Sequence, residues 1–361
     1  MDVLHVIPSL ATGGAEVFVV SMCNSLVKMG HDVTLLTFFP RKEGEFLYER
    51  LDGRVKLVTI GKREGFDPKL SMRIRRFIKR NGFEVAHFHL NAIIYALMPA
   101  MTYRRCRYVA TVHNDAKKEA SGIHRQIRRF LFGNRLMAPV TISEESQRSF
   151  TELYHTDSAL IYNGVSIDYP KSSKPDTLSR FKLTQNTKVF SLVASVGEVK
   201  NQLNAAKAFN SLAKEGYDVA LVLVGRISDT DYCKQVKVEA SDHVIVYGPH
   251  ANPLELLKES DFFMLVSQYE GMPISLLEAF GTGVVPVVTP VGGCKNLVRE
   301  GENGIVCRSC EIDDIKSAVK KALDLKDEEK HRMIERLKMA FDAFSIEKCT
   351  EAYLKLYADK R

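Results

Sequence analysis

The chain has no tryptophan, and its seven cysteines form an odd, scattered set. Such a complement builds no disulfide framework and fits a reducing compartment. Cys307-Arg-Ser-Cys310 is a lone CxxC without a second pair or a nearby histidine, so two incidental thiols are expected there, not a zinc or redox centre. No window approaches the roughly eighteen uninterrupted apolar residues of a membrane-spanning helix. The opening Met-Asp-Val-Leu-His-Val-Ile-Pro lacks the basic region of a signal peptide and reads as a buried strand, which makes the cytoplasm the expected location. No helix-turn-helix, zinc-finger or aromatic RNA-binding pattern accompanies the basic residues, so nucleic acid is not an expected partner.

What the chain does have is an ordinary globular composition, 45% apolar and 26% charged, over 361 residues. That length exceeds what one core usually holds, and two domains are expected. Short apolar runs bounded by Gly and Pro alternate with amphipathic segments. Strands are expected at 3–8, 32–38, 55–60, 85–88, 108–112 and 140–142, with helices at 15–28, 70–80, 92–101 and 122–132. A second alternation has strands at 189–193, 219–224, 244–247, 262–266 and 284–288, and helices near 201–215, 253–259, 273–281 and 311–325. This is α/β patterning of two Rossmann-like, doubly wound domains. The boundaries expected are 1–168 for the first, 181–345 for the second, and a linker at 169–180 that is poor in apolar residues. Ligands of doubly wound sheets bind at the carboxyl ends of the strands, so the reaction is expected in a cleft between the domains.

Charge is unevenly placed. Residues 1–170 carry 24 Lys and Arg against 17 Asp and Glu, and the remainder 27 against 27, so the whole excess of +7 lies in the first half. One cluster is Arg73, Arg75, Arg76, Lys79 and Arg80; another is Arg104, Arg105 and Arg107. In a third, Arg125, Arg128 and Arg129 interleave with Ile123, Ile127, Phe130 and Leu131. The third has cationic and apolar positions at helical spacing, which suits an anionic membrane surface or, equally, a solvated helix packed on its own core.

The most informative stretch is Glu270-Gly-Met-Pro-Ile-Ser-Leu-Leu-Glu278, two carboxylates in an E-x7-E spacing around a Pro able to open a helix. A helix beginning at Pro273 leaves N–H groups facing back over Glu270, an anion site flanked by acids. A nucleotide-sugar presents both phosphate and hydroxyls to such a site. With the strands on either side and the turn at Gly292-Gly293, the segment forms a βαβ unit. The run YEGMPISLLEAFGTGVVPVVTPVGGCKNLVREGENGIVC, ending at Cys307, resembles the donor-site signature of the retaining glycosyltransferases of family 4, a family of GT-B fold typified by sucrose synthases and bacterial mannosyltransferases.

That resemblance implies roles residue by residue. Glu270 is implied to bind hydroxyls of the transferred sugar and Glu278 those of the ribose, with the N–H groups around Gly271, Met272, Pro273 and Ile274 on the diphosphate. Lys200, just before a helix, resembles the family's diphosphate lysine. The family's arginine five positions earlier is replaced here by Ser195, and Arg226, at the next strand end, is the candidate to supply that charge. In the first domain Gly13 and Gly14 follow strand one without a full G-x-G-x-x-G, which argues against a dinucleotide cofactor. In the family that loop reaches the donor phosphate. His113 resembles the histidine near the transferred sugar, and His87, His89 and Asn163 are acceptor-side candidates, the two histidines alternating along a strand edge. The last helix, 346–357, is implied to return to the first domain.

No cofactor and no metal are expected, the nucleotide-sugar being a substrate. Asp229-Thr-Asp231 matches the DxD of metal-dependent glycosyltransferases of the other fold class, but lies in a polar stretch away from the E-x7-E helix and reads as turn chemistry. The implied partners are a UDP- or GDP-sugar donor and a glycan or lipid-linked acceptor of capsule, exopolysaccharide or lipopolysaccharide synthesis, at the inner face of the cytoplasmic membrane. A non-hydrolysing nucleotide-sugar epimerase of the same fold, or a non-catalytic sugar-binding protein, are the alternatives.

Overall fold

The computed structural model describes residues 1–11, 13–43, 45–63, 65–168, 178, 181, 183–250 and 252–359. The chain divides into two units, Met1–Gly164 with Ser345–Arg361, and Val165–Phe344.

The first unit runs β1 (Asp2–Ile7), α1 (Gly14–Lys28), β2 (Asp32–Thr37), β3 (Lys56–Thr59), α2 (Pro68–Asn81), β4 (Val85–His89), α3 (Leu97–Thr102), β5 (Arg107–Val112), α4 (Ala116–Glu119), α5 (Gly122–Gly133), β6 (Ala138–Thr141), α6 (Glu144–Tyr154) and β7 (Ala159–Leu160). Its sheet is parallel throughout, in the order β3-β2-β1-β4-β5-β6-β7. The second unit runs β8 (Lys188–Val193), α7 (Gln202–Lys214), β9 (Val219–Val224), α8 (Asp231–Val238), β10 (Val244–Gly248), α9 (Pro253–Lys258), β11 (Phe262–Leu265), α10 (Ile274–Thr282), β12 (Val285–Val288), α11 (Gly292–Leu297), β13 (Ile305–Val306), α12 (Ile312–Leu323) and α13 (Asp327–Phe341). Its parallel sheet has the order β10-β9-β8-β11-β12-β13. In each sheet the strand order reverses once, between β1 and β4 and between β8 and β11. At such a switch point the loops on either side diverge and leave a crevice at the strand carboxyl ends.

The strands form because they are covered on both faces. In β9, Val-Ala-Leu-Val-Leu-Val, every residue is buried, as a central parallel strand requires. Each such Val or Leu contributes about 1.5–3 kcal/mol on burial.

Several expectations shift. The unit boundary falls at Gly164, four residues before 168, because the Val165 N–H donates to Phe344 O (3.0 Å) and Ile167 packs on the second core. Of the linker at 169–180, all but Leu178 lies outside the described residues. The helix expected at 92–101 splits into a 3₁₀ segment, Leu90–Ala96, and α3. Pro99 has no N–H for the Tyr95 carbonyl, and the Ser71 hydroxyl donates to that carbonyl instead (2.9 Å) while accepting from Met98 N (3.1 Å). The helices α4, α6, α8, α11 and α13 go beyond the expected set. α13, Asp-Glu-Glu-Lys-His-Arg-Met-Ile-Glu-Arg-Leu-Lys-Met-Ala-Phe, buries only Met333 and Leu337 fully, so its apolar period is weak. His87 and His89 lie on β4, an interior strand between β1 and β5, not at an edge. The last helix, α14 (Ile346–Ala358), packs in the first unit against α1, with Thr350 Oγ1 2.8 Å from Ser25 Oγ.

Candidate active site

In the second unit the residues singled out from the E-x7-E segment collect at the β8/β11 switch point. β8 leads into Ala194 and Ser195 and then a 3₁₀ turn, Glu198–Lys200, ahead of α7. β11 leads into Ser267 and Glu270. The two loops are tied directly, Gln268 N donating to Val199 O (2.8 Å). Lys200 Nζ donates to both Glu270 carboxylate oxygens, at 2.7 and 2.8 Å, and Ser267 Oγ donates to Oε1 at 2.6 Å. Glu270 is 5% exposed, whereas the Lys200 side chain is 31% exposed. A buried carboxylate is tolerated here because a cation and a hydroxyl both serve it.

α10 starts one residue later than expected. Pro273 is its N-cap, with φ −72° and ψ 119°, and Ile274 is its first residue. Having no polar side chain, Pro273 leaves the N–H groups of the first turn uncapped by a side chain. Met272 and Ile274 are buried beside it, and Glu278, on the same helix, is 4% exposed. The loop before α10 is braced from behind: Gly293 N donates to Gly271 O (2.8 Å), and a Cβ on Gly293 would lie 2.4 Å from that oxygen. Only glycine fits this approach. Cys294 follows, buried, its thiol pushed up by burial and then by the Glu270 charge.

Ser195 and Arg226 sit on adjacent strand ends. Ala194 N donates to Val224 O and Val196 N to Arg226 O, both at 2.9 Å. Between them Gly225 allows close contact, since a Cβ there would lie 2.1 Å from Ala194 O. The Arg226 side chain is exposed and makes no hydrogen bond or ion pair with a described residue.

In the first unit the histidines converge on one face of the sheet. His5 on β1 stands in register with His87 on β4, and His89 with Thr111 on β5. His5 Nδ1 lies 3.0 Å from His89 Nε2, and His89 Nδ1 lies 3.1 Å from His113 Nε2. His87 has separate partners: Nδ1 meets the Tyr357 hydroxyl (2.7 Å) and Nε2 the Thr111 hydroxyl (2.8 Å), which in turn meets Tyr353 (2.8 Å). Phe18 of α1 covers His113 edge-on at 5.6 Å between ring centres. Burial pushes His5 down to about 3 and His113 likewise to about 3, where the Arg128 charge adds to the effect, and holds His87 and His89 well below the usual range. All four are neutral at pH 7. Ring nitrogens of His5, His87 and His89 lie within 4.8 Å of one another. Both nitrogens of His87 meet hydroxyls and both of His89 meet histidines, so this cluster is a hydrogen-bond network.

Sequence reading missed His5, although a histidine inside an otherwise apolar first strand was the available signal. It also misplaced Arg128. That residue is fully buried, donating to Glu119 Oε1 and to Leu90 O, both at 2.9 Å, while Glu119 Oε2 accepts from Asn114 N at 3.2 Å. The pair therefore clamps the backbone just after His89 to the backbone just after His113. Arg125 donates to Ala120 O and Lys117 O, and Arg129 to Leu153 O. Of the three α5 arginines Arg128 is withdrawn from the surface into an ion pair, while Arg125 and Arg129 keep their charge and are tied to backbone carbonyls.

Gly13 is the N-cap of α1, Gly14 its first residue, and the Glu16 carboxylate folds back against Gly13. Asn163 is buried in the segment before Gly164, which packs so tightly on the start of α14 that a Cβ on Gly164 would lie 2.5 Å from Cys349 Cβ. It is not part of the histidine chain. Asp229 and Asp231 are 93% and 94% exposed and share Lys234, while Thr230 between them accepts from Cys233 N to cap α8. Cys307 is buried and Cys310 half-buried, both free thiols.

The glycosyl transferases group 1 model matches residues 174–339 and the glycosyltransferase family 4 model residues 12–169. The chain is 25% identical over 369 residues to N-acetyl-α-D-glucosaminyl L-malate synthase of Bacillus anthracis, covering 97% of this chain and 94% of the relative. It is 25% identical over 275 residues to the UDP-Gal:α-D-GlcNAc-diphosphoundecaprenol α-1,3-galactosyltransferase of Escherichia coli, covering 72% of this chain and 71% of the relative. Among solved structures, Anabaena HepE in complex with UDP and glucose superposes with a TM-score of 0.82 at 18% identity, over 100% of both chains. A glycosyltransferase of Rickettsia africae superposes at 0.81 and 16% identity, over 99% of this chain and 97% of that one. The two doubly wound units are those of the GT-B fold, and the chain belongs to the group 1, family 4 glycosyltransferases.

Proposed function

We propose that this glycosyltransferase moves a sugar from a nucleoside diphosphate sugar to a glycan or lipid-linked acceptor in bacterial surface polysaccharide synthesis, with retention at the anomeric carbon. The observation that carries the reading is the Lys200–Glu270 pair at the β8/β11 switch point, directly before the N-terminus of α10. Glu270 orients hydroxyls of the transferred sugar and Glu278 those of the ribose. Lys200, the exposed Arg226 and the first-turn N–H groups of α10 take up charge on the departing diphosphate. These groups fill the role a divalent metal has elsewhere, so the proposed reaction uses none. The bond from the anomeric carbon to the phosphate oxygen breaks, the acceptor oxygen bonds to that carbon on the same face, and its proton passes to the departing phosphate. In the first unit the proposed ligand contacts are the Gly13-Gly14 turn for phosphate, His113 for the sugar and Asn163 for the acceptor, while His87 and His89, fully buried with both ring nitrogens engaged, touch no acceptor.

The names of relatives favour a UDP-sugar. The Escherichia coli relative is named for UDP-galactose and a lipid-linked acceptor, and a HepE structure contains UDP-glucose. A thermal-shift panel of UDP-, GDP- and ADP-sugars tests this, since a ligand that binds the folded chain raises its Tm. The expected result is a shift with one UDP-sugar and slow donor hydrolysis without acceptor. Conversion of donor to an epimer without acceptor would instead identify an epimerase, and no shift or turnover with any of them a non-catalytic protein.

For a lipid-linked acceptor the cytoplasmic leaflet is the meeting place, and α2 is the better candidate contact than α5. Arg73 donates to Ile60 O and Gly61 O and Arg75 to Thr102, but Arg76, Lys79 and Arg80 are exposed and have no partner among the described residues. Among the described residues no helix is long and apolar enough to cross a membrane.

A further inference from the structure

His5, His89 and His113 form a chain of imidazoles across β1, β4 and the end of β5, each linked Nδ1 to Nε2 at 3.0 and 3.1 Å. A neutral imidazole has one N–H and one lone pair. Three neutral rings linked in this sense have two consistent proton arrangements: all carry the proton on Nδ1, or all on Nε2. The choice at one end therefore dictates the choice at the other.

The far end decides. His5 is fully buried, and its Nε2 has no hydrogen-bond partner. Placing the proton there strands an N–H in an apolar interior, and orphaned buried N–H groups are among the rarest features of folded proteins. Placing it on Nδ1 leaves a bare lone pair on His5 and makes every link in the chain a hydrogen bond. At the near end His113 is 8% exposed, and Nδ1 is the nitrogen that no described residue engages.

We infer that His5 and His89 are positioning residues that hold His113 in its Nδ1–H form, so that it meets a substrate oxygen as a neutral hydrogen-bond donor and not as a base. The assignment rests on the reading of His113 as a sugar contact, but the proton arrangement can be measured apart from it. The clamp supports the same geometry, because Arg128 and Glu119 hold the backbone after His89 and after His113. His113 then offers a donor to a hydroxyl or phosphate oxygen with no change in its charge, the role a preorganised neutral imidazole performs at a developing negative charge.

The test is a long-range proton–nitrogen correlation spectrum of the full chain labelled with ¹⁵N-histidine at pH 7. His5, His89 and His113 are each expected with a protonated Nδ1 and a bare Nε2, in addition to His243, whose Nδ1 donates to Val219 O (3.0 Å), the His113 signals being identified by their loss in His113→Asn. A His113 ring protonated on Nε2, or averaged between forms, overturns the inference whether or not the protein transfers sugar. His89→Phe removes the N–H that donates to His113 Nε2, so the His113 Nε2 resonance is expected to shift downfield, to the position of a bare lone pair without a hydrogen bond; an unchanged Nε2 resonance overturns the link. If that variant does not fold, His5→Phe is expected to produce the same downfield shift at His89 Nε2. In kinetics, the amide nitrogen introduced by His113→Asn lies near the former Nδ1, so this variant is expected to keep about tenfold more kcat than His113→Ala at similar donor KM. Equal loss in the two variants counts against the donor role. Loss of all transfer in wild type, with the Nδ1–H pattern intact, sinks the proposed function and leaves the proton arrangement standing.

Discussion

Lys200 Nζ stands 2.7 and 2.8 Å from the two carboxylate oxygens of Glu270, two residues seventy positions apart in the chain that meet at the switch point of the second sheet. The pair holds charges of both signs where a sugar joined to a diphosphate presents hydroxyls and phosphate side by side. Lys200→Ala removes the cation and leaves Glu270 buried with Ser267. Transfer is expected to fall by about 10²-fold or more, as for loss of one preorganised charge-stabilising group. Steady-state assays with the donor found by thermal shift check this; wild-type rates in Lys200→Ala or Glu270→Ala would overturn the site.

Arg226 is expected to carry the charge that the family places at the position of Ser195. Arg226→Ala should weaken donor binding by about tenfold, the scale of one charge-assisted hydrogen bond lost. Ser195→Arg in that background should restore most of it, because Val196 and Arg226 are joined through the backbone on neighbouring strand ends. Titration calorimetry with UDP measures both. An unaffected Arg226→Ala removes Arg226 from the site.

Charge reversal separates the two basic helices. Arg76→Glu with Lys79→Glu and Arg80→Glu is expected to abolish most co-sedimentation with vesicles rich in anionic lipid, at about 1 kcal/mol per basic residue. Arg125→Glu with Arg129→Glu should leave it nearly unchanged. Arg128→Met is a stability variant: breaking its pair with the Glu119 carboxylate is expected to cost about 3–5 kcal/mol in urea unfolding.

Acid should destabilise the first unit. His5 and His113 fall from 6.5 to about 3 in the folded chain, and His87 and His89 are also lowered, in each case first through burial. The unfolded chain therefore binds more protons between about pH 6.5 and 3, and stability declines as pH falls through that window. Each histidine contributes up to about 1.4 kcal/mol per pH unit there. His87→Phe should reduce the slope of Tm against pH between about 6.5 and 5, the upper part of that window; an unchanged slope would show that the ring titrates normally.

Gly293→Ala places a methyl 2.4 Å from Gly271 O and 3.2 Å from Met272 Cα, both backbone atoms. The loop carrying Glu270 must move, so donor binding and transfer are expected to fall together, with a stability loss of about 1–3 kcal/mol. Calorimetry and transfer assays on one preparation check the coupling.

The alternation of short buried strands with amphipathic helices was legible because parallel strands covered on both faces read as unbroken apolar runs, as in β9. Weakly amphipathic helices such as α13 were not, since helices that bury few side chains leave little period to read. The motif around Glu270 and Glu278 was equally legible, because the groups it needs lie within one βαβ unit. The sequence by itself thus determined the fold class and the family. Only the tertiary structure decided which side chains face one another: that Lys200 pairs with Glu270, that Arg128 is an internal clamp, and that His5 completes a chain ending at His113. Those contacts join segments distant in sequence: each sheet sets its first and fourth strands side by side, β1 with β4 and β8 with β11, and no local spacing encodes which strands become neighbours.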